Sequence, residues 1–549
     1  MPQSCLSSVE GFQKIFTLML RSVELRHERR WIEALACLDE AISIHPQLPL
    51  CQVDRARVLS ELQRYEEALE SLDFFLDHSS PSPEIVSLRQ EILDGALTFF
   101  GQALNERPDE LNALLHRGNI FRISRQYVKA LMDYASILDR HPEHIDALNN
   151  QGNVFVALNR YEDAITCYTL ATKCCPDRAE IWYNLGNVVQ FLGRLEEARW
   201  AYQRAIELVP EFAEAKMEIG HCWLLEGNYS EGWSFYEWRW RTSQMKNCYL
   251  QTHQPLWLGG KTHPDHCSDW QIADNHCLAG KTLLVWAEQG IGDTLQFVRF
   301  VPKLLAEVGN LILRVQTTLR SLLQGLDDRI QVIGDEEPLP FHDFHCPLMS
   351  LPFALDIDIL PCSPPYLYAD RSHITRWEKL LGRKEKLRVG IVWAGRQAGV
   401  PNQTRDIPLS MLAPLASVNV ELISLQKDIP PTDAPALDDL SGLCRCGELL
   451  NDLSDTADLI KSLDLVISVD TAIAHLAGAL GKPCWLMLRY SGEWRWLRER
   501  RDSPWYPTMR IFRQSSPGNW EEVISQITGG LSALAISSVQ LADCSFLNI

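Results

Sequence analysis

Four glycines recur in the first half of the chain at intervals of 34 residues: Gly118, Gly152, Gly186 and Gly220. An alanine and a tyrosine follow each of the first three glycines at fixed distances, and a proline closes each unit. These residues are Ala130, Ala164 and Ala198; Tyr134, Tyr168 and Tyr202; and Pro142, Pro176 and Pro210. Small residues let two helices cross closely, the aromatic ring fills the adjacent gap, and proline ends the second helix. The period therefore predicts an α-solenoid of helix pairs.

In its length and in these positions the repeat resembles the tetratricopeptide (TPR) family. Weaker units precede it around Ala34 and Ala56, and a degenerate unit carries Ala96. We expect about six or seven units in an array over residues 1–242. The groove of such an array is usually a binding surface, so a polypeptide partner is expected. A structural spacer or an oligomerisation arm is the alternative.

Composition narrows the function classes. Hydrophobic residues make up 46% of the chain and charged residues 22%, which is typical of a folded globular protein. A formal net charge of −19 disfavours binding to nucleic acid or to anionic lipid. The N-terminus lacks a signal-peptide pattern and no apolar run is long enough to cross a bilayer. We therefore expect a cytoplasmic protein without an integral membrane segment.

The helical period ends near residue 242, and residues 243–280 are rich in Gly, His, Asp and Pro. We interpret them as a linker or surface insertion. Their histidines and cysteines fit no zinc-ligand spacing, so no metal site is predicted, although one stays conceivable. The residues concerned are His253, His263, His266, Cys267, His276 and Cys277.

The second half alternates short apolar runs with amphipathic segments, which indicates α/β structure with parallel sheets. We expect two doubly wound, Rossmann-like domains at 281–383 and 384–530, followed by a tail at 531–549. Ligands bind such sheets at the carboxyl ends of the strands. The predicted strands are 282–286, 311–315, 330–333, 420–425, 465–469 and 484–488, and a further strand-and-helix unit starts with the segment 387–395.

Two strand-to-helix junctions carry residues suited to chemistry. The first contains Gly290, Gly292 and Asp293, and the second runs from Asp470 to His475. A helix that starts at the second junction would direct its first N–H groups at an anion such as a diphosphate. Each aspartate could instead be a helix cap, and His475 could be a core histidine.

Together the two junctions resemble glycosyltransferase family 9, the bacterial heptosyltransferase-type family of GT-B fold. The resemblance implies that Asp293 is the general base. It also implies a donor site for a nucleotide sugar, formed from the second domain and Gly292. Its expected residues are Gly292, Trp393, Gly395, Arg405, Gln426, Lys427, Asp470, Thr471, Ala472 and His475. The family has glycine where this chain has Ala472, and the first of the two domains is short for the family.

The resemblance implies inverting transfer without a metal ion or cofactor, the nucleotide sugar being a substrate. The combination of repeats with GT-B domains is also similar to the protein O-GlcNAc transferases. Three function classes follow. The first is a protein glycosyltransferase that recruits a surface or flagellar polypeptide. The second is a transferase for lipopolysaccharide or another envelope glycan, and the third is a non-catalytic scaffold.

Overall fold

The computed structural model describes residues 3–45, 48–78, 82–245, 248–261, 271–273, 277–360, 365–369, 371–395, 405–440, 442–491 and 493–546. The chain divides after Val188 into two compact units. No described helix is long and apolar enough to cross a membrane. The predicted fold class, a TPR solenoid followed by two parallel α/β sheets, is confirmed.

All the described secondary-structure elements of the first unit are helices. Its helices are α1 (Gln3–His27), α2 (Trp31–Ile44), α3 (Pro49–Glu61), α4 (Tyr65–His78), α5 (Pro83–Glu106), α6 (Leu111–Ile123), α7 (Tyr127–Leu138), α8 (Ile145–Ala157), α9 (Tyr161–Cys174) and most of α10 (Ala179–Phe191). In the pair α6–α7 the backbone of Gly118 lies so close to Tyr134 that an added Cβ would be 2.7 Å from its ring. The same approach recurs at Gly152 and Tyr168, at 2.6 Å. These contacts give the 34-residue glycine period its physical basis.

The degenerate unit differs from a TPR helix pair. Its residues form one long helix, α5, in which Ile92, Leu93 and Ala96 are buried against the neighbouring helices. After Pro83, which occupies the first turn, the sequence 83–106 contains no proline that would break the helix. The shifted alanine phase therefore marks a continuous helix.

The second unit begins inside α10 and continues through three helices that complete the repeats, α11 (Leu195–Leu208), α12 (Ala213–Glu226) and α13 (Tyr229–Tyr236). A 3₁₀ turn, Glu237–Arg241, ends this part. In the described part of the expected insertion, Leu256 and Trp257 pair through their backbones with His345 in the first sheet. The last repeats thus share a compact unit with the α/β structure.

The first sheet has four parallel strands in the order β3-β2-β1-β4. The predicted helix after β1 is only two turns long and continues as a 3₁₀ segment around Pro302, which cannot donate to a helical ladder. The strands and helices are β1 (Thr282–Trp286), α14 (Ile291–Phe297), β2 (Asn310–Val315), α15 (Arg320–Leu323), β3 (Ile330–Gly334), β4 (Phe344–Pro347), α16 (Leu351–Ala354) and α17 (Arg371–Leu381).

The second sheet has six parallel strands in the order β10-β9-β8-β5-β6-β7. Its strands and helices are β5 (Arg388–Val392), β6 (Glu421–Ser424), α18 (Ala434–Asp439), β7 (Cys444–Arg445), α19 (Leu453–Lys461), β8 (Leu465–Val469), α20 (Ala472–Ala479), β9 (Cys484–Leu488), β10 (Met509–Arg513) and α21 (Trp520–Phe546). α21 crosses the expected tail boundary at residue 530, because Leu531 and Ala535 are buried in the core of this sheet.

A buried ionic cluster fixes the loop that follows β1. Arg239, in the turn after the last repeat, donates to Glu237 at 2.5 Å, to Glu288 at 3.0 Å and to Ser350 at 2.7 Å. The side chains of all three ionic residues are at most 1% exposed. Beside them Gln289 donates to the Tyr236 hydroxyl at 2.9 Å. The last repeat therefore anchors the start of the first strand-to-helix junction.

We expect Arg239→Met to lower the free energy of unfolding by about 3–5 kcal/mol, because it leaves two buried carboxylates without their cation. Arg241→Met is the matched control. Arg241 pairs with the exposed Glu211, so its loss should cost at most about 1 kcal/mol. Urea denaturation followed by tryptophan fluorescence measures both values. If both variants lost the same free energy of unfolding, the stabilising role assigned to Arg239 would be contradicted.

Candidate active site

A cavity of about 930 Å³ lies between the two sheets, at the carboxyl ends of their strands. The residues that follow β1, β2 and β3 line one wall, and those that follow β5, β6, β8 and β9 line the other. The lining includes Gly292, Asp293, Gly395, Arg405, Gln426, Lys427, Asp470, Thr471, Ala472 and His475. All the predicted site residues except Trp393 therefore meet at one cavity.

Asp293 is held at the start of α14. Gly290 occupies the N-cap position, and Asp293 is the third helical residue. The Asp293 Oδ2 atom accepts from the Gly290 N–H at 2.9 Å. The Asp293 side chain therefore bonds to the first residue of the helix start. Asp293 is not itself the N-cap residue, which was the alternative that the sequence left open. Its Oδ1 atom remains for other partners in the cavity.

The start of α20 faces the same cavity. Thr471 is the N-cap residue, but its hydroxyl pairs with Ser468 at 3.0 Å and does not cap the helix. Thr471, Ala472 and Ile473 all line the cavity. Because no described side chain caps this helix, its first N–H groups and its dipole are directed at whatever fills the cavity.

His475 links the two helices. A Cβ added to Gly292 would lie 3.1 Å from the His475 ring, so glycine lets α14 approach α20 closely. His475 Nδ1 pairs with the Tyr506 hydroxyl at 2.9 Å, and its ring stacks on Trp496. Burial, together with Arg495, holds the pKa of His475 well below its ordinary value. It is a neutral, partly structural histidine at the edge of the cavity.

Gln426 braces the loop after β5. Its Oε1 atom accepts from the backbone N–H groups of Trp393 and Ala394 at 3.3 and 3.2 Å. The Trp393 indole does not line the cavity: it is 0% exposed and donates to Asp433 at 2.8 Å. A large apolar ring after a buried strand favours the core, which explains this departure from the predicted donor site.

Gly395 makes room for Arg405. A Cβ at Gly395 would lie 1.9 Å from the Arg405 guanidinium, and the Gly395 N–H donates to Asp406 at 2.9 Å. Lys427 lies further along the same wall and donates to the Asn451 carbonyl at 3.2 Å. Together they supply positive charge on the wall that contains the start of α20.

Three charged residues of this wall were missed in the sequence: Arg489, Glu493 and Arg495. Burial raises the pKa of Glu493 to about 7, Asp470 adds to the shift, and Arg495 opposes it. Burial also raises the pKa of Asp470, against the pull of Arg495 and other guanidinium groups. Arg489 directly follows β9, so the rule that ligands bind at the carboxyl ends of strands would have found it.

The prediction that the chain has no metal site concerns, above all, the histidines and cysteines of the insertion. Among the described residues, no group of three or more His, Cys, Asp or Glu side chains could hold a metal ion. His263, His266, Cys267 and His276 lie outside the described residues. The absence of a metal site therefore stays a prediction.

Comparison with protein families gives three matches. Residues 152–190 match a TPR repeat model and residues 183–236 match a tetratricopeptide repeat model. Residues 418–491 match the model of glycosyltransferase family 9 (heptosyltransferase). The chain carries TPR repeats and a glycosyltransferase family 9 domain. The family 9 match contains Asp470 and His475 but not Asp293.

Among curated proteins, FlbA of Caulobacter vibrioides is 25% identical over 348 residues, which cover 57% of this chain and 54% of FlbA. The chain thus spans about half the length of this relative. Among solved structures, MamA (19% identity, TM-score 0.27) covers 31% of this chain and 100% of its own. YrrB is described as a TPR protein with an unusual peptide-binding site. It covers 38% of this chain and 92% of its own, with 17% identity and a TM-score of 0.25. At these TM-scores, the fold rests on the helices and sheets described above.

We expect Gly395→Ala to weaken nucleoside diphosphate binding about tenfold, because the added methyl displaces the Arg405 guanidinium. Gly101→Ala is the control, since nothing lies within 4 Å of the added methyl there. Titration calorimetry with UDP, GDP and ADP measures the affinities. Unchanged affinity for the diphosphate that binds would exclude Arg405 from the donor site.

Glu493 should make stability depend on pH. Its pKa is 4.5 when unperturbed and about 7 in the folded protein, so the folded state binds the extra proton between these values. The free energy of unfolding should therefore fall as pH rises from about 4.5 to 7. We expect Glu493→Gln to reduce this fall by about 1–3 kcal/mol. Urea denaturation between pH 4.5 and 7 measures this dependence, and Glu499→Gln, at an exposed position, is the control. If the free energy of unfolding fell equally with pH in Glu493→Gln and in the unmodified protein, the expectation would be contradicted.

Proposed function

We propose that this protein transfers a sugar from a nucleotide-sugar donor to a polypeptide acceptor, with inversion at the anomeric carbon and without a metal ion. The observation that carries the proposal is the start of α20, which no described side chain caps and which lines the same cavity as Asp293. The family 9 match over residues 418–491 supports the donor half.

The donor diphosphate is assigned to the second wall of the cavity. The first N–H groups of α20 provide hydrogen bonds, and the helix dipole favours negative charge there. Arg405, Lys427 and Arg489 line the same wall and would stabilise the charge that develops on the leaving diphosphate. These cations supply electrostatically what a metal ion supplies in other transferases.

The chemical step is a displacement. An acceptor hydroxyl attacks the anomeric carbon, and the new carbon–oxygen bond forms as the bond to the diphosphate oxygen breaks. Asp293 takes the hydroxyl proton, which makes it the general base. The electron pair of the broken bond leaves with the nucleoside diphosphate, so atoms and charge balance without a co-reactant.

The repeats support a polypeptide acceptor. Successive first helices carry asparagines that bond to one another: Asn150 donates to Asn119 at 2.9 Å, and Asn184 donates to Asn149 at 3.0 Å. All but Asn119 remain partly exposed. Amide side chains both donate and accept, so such a row suits the backbone of an extended peptide. A glycan acceptor is the second candidate, because the matched family is described as heptosyltransferase.

Thermal denaturation against UDP-, GDP-, ADP- and dTDP-sugars identifies the donor, because a ligand that binds the folded state raises the midpoint. Asp293→Asn should keep this shift and lower donor turnover at least 100-fold. Asp327→Asn is the control and should retain activity, because Asp327 is a half-buried carboxylate that pairs with Arg329 and does not line the cavity. A protein that binds none of these donors would be a scaffold, and full turnover by Asp293→Asn would remove the base role.

The acceptor class is tested with the donor so identified, carrying a labelled sugar, in a cell extract. We expect label in protease-sensitive material, absent with Asp293→Asn. Label confined to the lipid-extractable fraction would favour the envelope-glycan function over protein modification.

A further inference from the structure

Arg495 spans the cavity from one sheet to the other. It lies in the 3₁₀ turn Trp494–Trp496 that follows β9, and its side chain is 10% exposed. Its Nη2 atom donates to Asp293 Oδ1 at 2.5 Å, and its Nε atom donates to Gln296 at 2.7 Å. Both acceptors lie on α14 in the first sheet's half. One guanidinium from the donor wall thus binds two residues of the opposite wall.

Arg495 is itself held in place. Its Nη1 atom donates to Glu493, whose other oxygen accepts from the Arg495 backbone N–H at 3.1 Å. Its guanidinium carbon lies 4.1 Å from the centre of the Trp494 ring, a cation–π contact. Trp494 packs edge-on against Trp233 of the last repeat, with centroids 5.4 Å apart. A guanidinium fixed on three sides by charge and packing is pre-organised.

The two Asp293 oxygens therefore have different partners. The Gly290 N–H holds Oδ2 and Arg495 holds Oδ1. Each carboxylate oxygen has two lone pairs, so either one can still accept a proton from a substrate hydroxyl. The two contacts fix the plane of the carboxylate, and a base must be within hydrogen-bond reach of the proton it takes.

We propose that Arg495 is the positioning residue of the base: it orients the Asp293 carboxylate and ties that orientation to the donor wall. This inference rests on the proposed function. Arg495 acts through Asp293, and Glu493 holds Arg495 in place. Two other roles predict different results. A phosphate ligand would act on donor affinity independently of Asp293, and a purely structural latch would act on stability alone.

The test is a double-mutant cycle in the full chain, with Arg495→Met, Asp293→Asn and the double variant. The readout is hydrolysis of the sugar nucleotide that gives the largest thermal shift, with water as acceptor. We expect Arg495→Met to lower kcat at least tenfold and to change the donor KM less than threefold. In the Asp293→Asn background the same substitution should cost less than twofold. Arg495→Lys should recover part of the lost kcat, because lysine restores the positive charge but not the planar, multiply donating guanidinium group.

Arg500→Met is the matched control: Arg500 lies in the same segment, pairs with the exposed Asp502 and should leave kcat unchanged. A further tenfold loss of kcat in the Asp293→Asn background, or a donor KM raised tenfold, would overturn the inference while the protein remained an active transferase. Loss of the donor-induced thermal shift in Arg495→Met would overturn it as well. Absence of donor binding and hydrolysis in the unmodified protein would overturn the proposed function, and this inference with it.

Discussion

Every pairing between named strands in the two sheets is parallel. A parallel strand must be reached by a crossover, so the loops that leave the carboxyl ends gather at one edge of each sheet. Residues distant in the sequence, such as Asp293 and Thr471, therefore line the same cavity. This constraint explains why short polar segments after strands carry almost all of the candidate chemistry.

Buried charge is the second theme. Glu237, Arg239 and Glu288 form one cluster, and Asp293, Glu493 and Arg495 form another. Each carboxylate taken from water needs a fixed cation, and that requirement holds the loops in one geometry. Glu288 is fully buried, and burial raises its pKa to about 7 although Arg239 pulls that pKa down.

The sequence predicted the solenoid, the long apolar strands and the two strand-to-helix junctions, because each has a local periodic pattern. Periodicity could not reveal β4, which contains His345 and Pro347, or the two-residue strand β7. Both exist only because a neighbouring strand supplies hydrogen bonds. The same limit applies to Arg495. Its role depends on contacts with residues about 200 positions earlier, which no local pattern encodes. The sequence placed Trp393 in the donor site, because residue order does not say which way a side chain points.

The boundary between the compact units falls inside α10, so the final helices of the array belong with the sheets. Trp233 and Tyr236, from the last repeat, contact Trp494 and Gln289 beside the cavity. The helix pairs before Val188 form the other compact unit. A substitution at Trp233 or Tyr236 would therefore disturb both the loop after β1 and the turn that holds Arg495, although neither residue lines the cavity.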